Sequence, residues 1–143
     1  MSIFNSMQIN TSGLQLERLK LDVISSNIAN ANTTRTEDGG PYLQKQVTFE
    51  EAMKTQDAYF APGTQRKSFG VRATGIEESE DNLRMTYDPS HPDADADGFV
   101  AYPNVDMADE MINMMTTLRT YDANVTAMNA SKAMLNKALE IST

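Results

Sequence analysis

The sequence predicts an α+β chain. Long helices lie at the two ends, each with a seam of the coiled-coil kind, and a small β-rich region lies between them. Near the C-terminus, Met111, Met114, Leu118, Tyr121, Val125, Met128, Lys132, Leu135 and Leu139 follow alternating steps of three and four. Near the N-terminus, Ile3, Met7, Leu14, Leu21, Ile24 and Ile28 fall on a similar grid, with Asn10 and Glu17 as its polar exceptions. An apolar repeat of about 3.5 residues draws one narrow seam along a helix, and the seam must be buried against another helix of the same chain or of a neighbour. The intervening residues carry short β-forming runs separated by Gly, Pro and acidic clusters. These observations divide the chain into 1–34, an N-terminal helix; 35–104, a β-rich middle that faces water; and 105–143, a C-terminal helix.

The first helix is expected over residues 2–31. Gly13 weakens its first third by about 1 kcal/mol relative to alanine. Ser12 and Gln15 have capping-box spacing, so its firm part could begin at Ser12. Asn30-Ala31-Asn32-Thr33-Thr34 ends it, because asparagine tolerates left-handed backbone and threonine disfavours further helix. Residues 35–41 read as a loop. Tyr42 to Phe49 reads as a strand. Residues 52–68 are polar and contain Pro62-Gly63, so they read as a mobile loop. Phe69 to Ile76 reads as a second strand. Leu83, Met85 and Tyr87 alternate with Asn82, Arg84 and Thr86, a clear strand signal. The acidic run Glu77 to Asp81 suggests a turn joining those two strands as a hairpin. Phe99 to Tyr102 adds a short strand. Asn104 is the expected N-cap of a last helix over about 105–140, with Asp106, Asp109 and Glu110 at the positive end of its dipole. That helix is far longer than the globular mean of about 11–12 residues, and a 70-residue middle cannot cover all of it.

Composition narrows the functions open to the chain. The net charge is −8 over 143 residues, which disfavours nonspecific nucleic-acid binding. Residues 31–104 hold 13 acids against 7 bases, whereas residues 1–30 are balanced and residues 105–143 carry 5 acids and 3 bases. Nearly neutral ends suit helices that associate, and a charged middle suits contact with water. The absence of cysteine rules out disulfides, thiolate catalysis and zinc–thiolate sites. A single histidine, His91, rules out a multi-histidine metal site. No apolar run of about 18 residues predicts a membrane span. No basic region followed by an apolar core opens the chain, so no Sec signal peptide is expected, and the chain either stays in the cytosol or leaves by a route that cleaves none.

Three features invite a chemical reading. Asp93-Ala94-Asp95-Ala96-Asp97-Gly98 matches the first six positions of an EF-hand loop. The twelfth position is Asn104 rather than a bidentate glutamate, and Asp88-Pro89-Ser90-His91-Pro92 cannot be an entering helix. The run therefore reads as an acidic turn, with weak calcium binding as its competitor. Asp22 beside Ser25 and Ser26 lacks a base, so no catalytic site is expected and no cofactor is implied. Six of the ten methionines (Met107, Met111, Met114, Met115, Met128 and Met134) fall in the last helix. Flexible methionines fill irregular gaps, and here they suggest an adaptable interface rather than ordinary core. Asn27, Asn30, Asn32 and Asn129 lie near the seams. Alone such amides are solvated; on or beside a seam, a buried one fixes register at some cost in stability, and Lys132 has the same potential.

Two ends and most of the middle also carry familiar motifs. Leu21-Asp22-Val23-Ile24-Ser25-Ser26-Asn27-Ile28-Ala29-Asn30-Ala31-Asn32-Thr33 resembles the N-terminal signature of bacterial flagellar rod and hook proteins. Thr34 to Tyr42, Tyr87 to Val100, Tyr102 to Asp106, Tyr121 to Val125 and Lys137 to Ile141 are closer to the proximal-rod members of that family than to their relatives. The resemblance implies a structural subunit of the rod that crosses the periplasm. It implies an inner coiled coil of the terminal helices packed around the export channel, and passage out of the cell unfolded through the flagellar type III export apparatus. Further copies of the chain and rod proteins of the FlgB, FlgF, FlgG and FliE types are the implied partners, with no membrane insertion and no nucleic acid. The residues expected at the assembly interface are Leu14, Leu21, Ile24, Asn27 and Ile28 on the first helix, with Met111, Met114, Leu118, Tyr121, Val125, Met128, Leu135 and Leu139 on the last. A cytosolic helical-hairpin adaptor or export chaperone is the alternative that the helices alone would allow.

Overall fold

The structure, a computed structural model, describes residues 3–37, 39–56, 65–79 and 83–141. Helix α1 is Ile3–Ala29, strand β1 is Gln44–Gln56 and strand β2 is Gln65–Ser79. Strand β3 is Arg84–Tyr87, strand β4 is Phe99–Tyr102 and helix α2 is Met107–Ile141. The terminal helices and the β-rich middle are as the sequence predicts. The chain forms two compact units, one from the described parts of Met1–Leu19, Thr48–Gly75 and Thr117–Thr143, the other from Lys20–Val47 and Ile76–Thr116.

Strands β1 and β2 pair as a two-stranded sheet, whose residues 48–56 and 65–75 belong to the first unit. Glu50 and Arg72 form an ion pair across it, and Thr74 Oγ1 donates to Thr48 Oγ1 at 3.1 Å. Moving forward along β1 thus means moving back along β2, so the pairing is antiparallel. Helix α1 runs unbroken through Ser12, so the predicted capping box there is not a helix start. Ser12 instead ties the helix to β2: its Oγ donates to the Ile9 carbonyl at 2.7 Å and accepts from the Val71 N–H at 3.1 Å. This contact requires Gly70. Its φ is +108°, and a Cβ there would come within 2.0 Å of Ser12 Oγ and 3.2 Å of Ile9 Cα. Gly13, which costs helix propensity, sits where a Cβ would come within 3.0 Å of the Asn124 side chain on α2. Close approach between the helices is what its missing side chain provides.

In the second unit, β3 pairs antiparallel with β4, with Arg84 opposite Tyr102 and Tyr87 opposite Phe99. Tyr87 and Phe99 meet edge to face, their ring centroids 5.4 Å apart. Val100 is only 1% exposed, and Val23, Ile24, Ala31 and Tyr42 are buried in the same unit. Asn104 does not cap α2. Its Oδ1 accepts from the Gln44 N–H at 3.1 Å and its Nδ2 donates to the Ser79 carbonyl at 3.1 Å, joining the starts and ends of the long strands. The cap is Asp106, whose Oδ1 accepts from the Ala108 N–H at 2.8 Å.

The strand pairing departs from the sequence expectation. Residues 69–76 belong to β2 and pair with β1, not with residues 83–87, which pair with β4. Strand β2 extends through Glu77 and Glu78, so the acidic run starts inside a strand. Lys45 explains this in part, since its Nζ lies 3.2 Å from Glu78 Oε1 and compensates one of those charges. The stretch expected as a loop, 52–68, contributes residues 52–56 to β1 and residues 65–68 to β2; residues 57–64 lie outside the described residues.

Replacing Gly70 with alanine is expected to destabilise the isolated chain by about 2 kcal/mol or more, from left-handed strain and the clash with Ser12. Gly75→Ala, whose Cβ would meet only Thr48 Oγ1 at 3.5 Å, is the control and should cost less. Urea unfolding monitored by circular dichroism compares the two. Equal costs would show that the Ser12–Gly70 contact does not restrain the strand.

Candidate assembly surface

Helix α2 carries two neighbouring stripes of different character. Glu110, Met114, Thr117, Tyr121, Asn124, Met128, Ser131 and Leu135 are all buried or half-buried, and their steps alternate four and three. Apart from Val125, every other residue of the helix is exposed. The covered stripe is half polar: Glu110, Thr117, Asn124 and Ser131 recur every seventh residue, and Met114, Tyr121, Met128 and Leu135 alternate with them. One residue after each polar position comes Met111, Leu118, Val125 and Lys132. Met111 and Leu118 are each 46% exposed. Met107, Met115 and Leu139 are exposed as well. An exposed row of large apolar side chains beside a covered polar row is unusual for a helix that packs only within its own chain, because monomers seldom leave contiguous apolar surface in water.

The covered end of that stripe in the second unit is a polar node centred on Asn27, which is 1% exposed. Its Nδ2 donates to the Lys45 carbonyl at 2.9 Å and to Glu110 Oε1 at 3.0 Å. Its Oδ1 accepts from the Tyr42 hydroxyl at 2.9 Å and from the Lys45 N–H at 3.0 Å. All four hydrogen-bonding positions of the amide are therefore used. Lys45 offers both its backbone groups to one side chain, so Asn27 takes the place of a neighbouring strand at the start of β1. Glu110, 3% exposed, also accepts from Gln44 Nε2 at 2.7 Å. Its place in the first turn of α2 lets the helix dipole offset part of the cost of burying a carboxylate.

Within the Asp93–Gly98 run, Asp95 braces the turn and Asp93 ties it to the segment after α1. Asp93 Oδ2 accepts from Thr34 Oγ1 at 2.9 Å, and Arg35 lies 3.6 Å from the other oxygen. Asp95 Oδ1 accepts from the backbone N–H groups of Asp97 and Phe99 at 3.0 and 2.9 Å. His91 Nδ1 accepts the Asp93 N–H at 3.1 Å. Nearby, Ser90 donates to Asp88 Oδ1 through its hydroxyl at 2.6 Å and its backbone at 3.1 Å, and these bonds hold the Asp88 carboxyl below the ordinary carboxylate value. Among the described residues no group of three acidic or histidine side chains is arranged to hold a metal ion. No described helix is long and apolar enough to cross a membrane. The grooves are open and mixed in chemistry: one of about 560 Å³ lies between Gln8, Gln15, Met53 and Arg72, and one of about 400 Å³ between Arg35, Met85, Asp93 and Phe99.

The residues singled out in the sequence divide three ways. Ile24 and Asn27 are buried; Leu14, Leu21, Ile28, Met114, Tyr121, Val125, Met128 and Leu135 are half-buried; Met111, Leu118 and Leu139 are exposed. Counting apolar positions alone missed Glu110, Thr117, Asn124 and Ser131. Their seven-residue spacing was visible, but polar and small residues do not register as a seam until a covering element is in place.

Comparison with known proteins points one way. Residues 7–35 match the family described as flagella basal body rod protein, and residues 96–141 match that described as flagellar basal body rod FlgEFG protein C-terminal. The flagellar basal-body rod protein FlgC of Borreliella burgdorferi is 40% identical, over 99% of this chain and 98% of its own length. That of Bacillus subtilis is 39% identical over 99% of each, and that of Salmonella typhimurium 38% over 99% and 98%.

If the acidic run serves the turn, Asp95→Asn, which keeps an acceptor at Oδ1, is expected to be nearly neutral. Asp95→Ala should cost about 1 kcal/mol by removing two hydrogen bonds. Urea unfolding checks both, and calorimetry with millimolar calcium should give no binding heat. Calcium-dependent stabilisation of the native chain would contradict the turn assignment.

Proposed function

The chain belongs to the FlgC family of flagellar basal-body rod proteins, and from that premise we propose that it is a structural subunit of the rod held in place by its terminal helices. Its relatives are rod proteins, structural rather than catalytic. The observation that carries the reading is the row Met111, Met115 and Leu118, exposed beside a covered stripe that the chain has already satisfied. Burying one such side chain is worth about 1.5–3 kcal/mol, so a row repeated along a helix supplies a large driving force for association.

The two helices pair as a short antiparallel coiled coil. Two contacts support this, each within its own unit. Asn27 bonds Glu110 in one, and Gly13 lies against Asn124 in the other. From residue 13 to 27 is a step of 14 along α1, and from 124 to 110 is the same step backwards along α2. Two heptads on each helix is the spacing a 3.5-residue repeat demands. The apolar stripe, offset by one residue, is then turned toward neighbours: Met111, Leu118, Val125 and Leu139 on α2, with Leu14, Leu21 and Ile28 on α1. These neighbours are further copies of the chain and rod proteins of the FlgB, FlgF, FlgG and FliE types. The subunit stands in the proximal rod, within the periplasm, and reaches it unfolded through the flagellar export apparatus. The methionines suit a surface that meets non-identical partners, because their side chains adapt to differing contours.

Leu118→Asp is expected to abolish incorporation into the rod while leaving export and the isolated fold intact, since a charge at a buried interface costs several kcal/mol and at an exposed position almost nothing. Motility assays, secretion blots and circular dichroism of the purified variant separate these effects, with Asp95→Asn as the control that keeps assembly. Normal rods carrying Leu118→Asp would refute the proposed surface. Hydrogen exchange gives a second check. Residues 132–141, exposed except at Leu135, should exchange quickly in the free chain and become protected in the particle. Full protection in the free chain would contradict ordering on incorporation.

A further inference from the structure

We infer that Asn27 and Glu110 form a polar register key, which admits one alignment of α1 with α2 and thereby decides which stripe of each helix is left for neighbours. The inference rests on the assembly reading for its consequence, but not for its test. Several observations lead to it. Asn27 and Glu110 are 1% and 3% exposed, and among the described residues their side-chain partners are each other, Tyr42, Gln44 and the backbone of Lys45. Every hydrogen-bonding position of the Asn27 amide is filled in this one alignment. A shift of α2 by one heptad would place Thr117 or Pro103 opposite Asn27; proline has no side-chain acceptor, and the short, neutral threonine hydroxyl lacks the reach and charge of the Glu110 carboxylate, which bonds Asn27 and Gln44 together. Buried amide and carboxylate would then both lose partners, a penalty that a purely apolar seam would not impose.

The key matters because the apolar positions discriminate poorly by themselves. Met107, Met114, Tyr121, Met128 and Leu135 repeat every seven residues. Any heptad shift would therefore set one large apolar side chain in place of another. A neighbour's helix presenting Met111 and Leu118 would satisfy the apolar half of the α1 seam as well as α2 does. It would leave one of the two Asn27 N–H groups without its acceptor, since only the Lys45 carbonyl would remain. The polar node thus excludes an incoming helix from the place of the chain's own α2, and the apolar stripe remains the only one open to neighbours. This is specificity by penalising the wrong pairing rather than by strengthening the right one.

The chain has no cysteine, so engineered disulfides report register cleanly. Counting antiparallel from the Asn27–Glu110 bond sets Val23 opposite Met114, while a one-heptad slip sets it opposite Met107. Val23→Cys is combined with Met114→Cys or with Met107→Cys in the full chain, and cross-linking rates are compared under mild oxidation. With Asn27 and Glu110 present, the 23–114 pair is expected to close at least about tenfold faster than the 23–107 pair, the ratio set by a penalty of about 1.4 kcal/mol. In Asn27→Leu/Glu110→Leu, where both polar partners are removed together, the preference should collapse to within about threefold while helicity is kept. Glu110→Gln, which keeps an acceptor for Asn27, should restore it. Three results would overturn the inference: equal rates in the native background, an undiminished preference in the double-leucine variant, or loss of helicity there, which would show the node to be needed for folding rather than for register. If the key holds but Leu118→Asp still assembles, the assembly surface fails and the register assignment stands.

Discussion

The Asn27 carboxamide is the interaction on which the rest depends. A side-chain amide that is almost fully buried must have partners, and here they come from the start of β1 and the first turn of α2. Its two bonds to Lys45 substitute for a strand neighbour, so β1 begins where the helix lets it begin. Its bond to Glu110 fixes where α2 begins to lie along α1. Asn104 extends the same logic, linking Gln44 to Ser79 and so fastening the beginning of one long strand near the end of the other. One unit is thereby organised by buried hydrogen bonds more than by apolar volume, and its largest fully buried side chains are Val100 and Asn27. Such networks contribute little net stability when complete and cost much when broken. That asymmetry suits a protein that has to adopt one arrangement reliably and be held firmly only by its neighbours.

The consequence runs outward along α2. Because the covered stripe alternates polar and apolar residues, it consumes Met114, Tyr121, Met128 and Leu135 and leaves Met111 and Leu118, one step on from its polar positions, uncovered. A chain optimised for life alone would place its leucines and valines inside and its glutamate, threonine and serine outside. The reverse placement at 110/111 and 117/118 makes sense if the outer row is buried later. The interior then supplies register, and the exterior supplies association energy.

Much of this was legible in the sequence. The terminal helices and the β-forming middle follow from spacing and residue type, whereas in the sequence Asn27 is only one of four amides near the seams. Tyr42 to Phe49 and Phe69 to Ile76 were readable as strands because β-branched and aromatic residues cluster there. The pairing of those strands was not readable, since the two partners are separated by polar residues that signal a loop, whereas the acidic run after Ile76 imitates a tight turn. The N-cap was misplaced by two residues because Asn104 and Asp106 are both competent caps, and only the strands decide that Asn104 is needed elsewhere. Half of the covered stripe lies one residue before the apolar positions that counting finds, for a related reason. Apolar counting finds Met111 and Leu118, but what α1 meets is Glu110 and Asn124, and the sequence hints at this only through the seven-residue spacing of the polar row and the glycine at position 13.

Oxidative footprinting of the methionines tests the central claim most directly, because the chain places Met111 and Met115 on the outer row and Met114 on the covered one of the same helix turn. Purified hook–basal bodies and the free chain would be exposed to hydroxyl radicals and compared by mass spectrometry, which also establishes that the chain is in the particle. The account predicts that Met111 and Met115 oxidise readily in the free chain and are strongly protected in the particle, with little change at Met114. Oxidation of Met111 and Met115 at the same rate in the particle and in the free chain would contradict it.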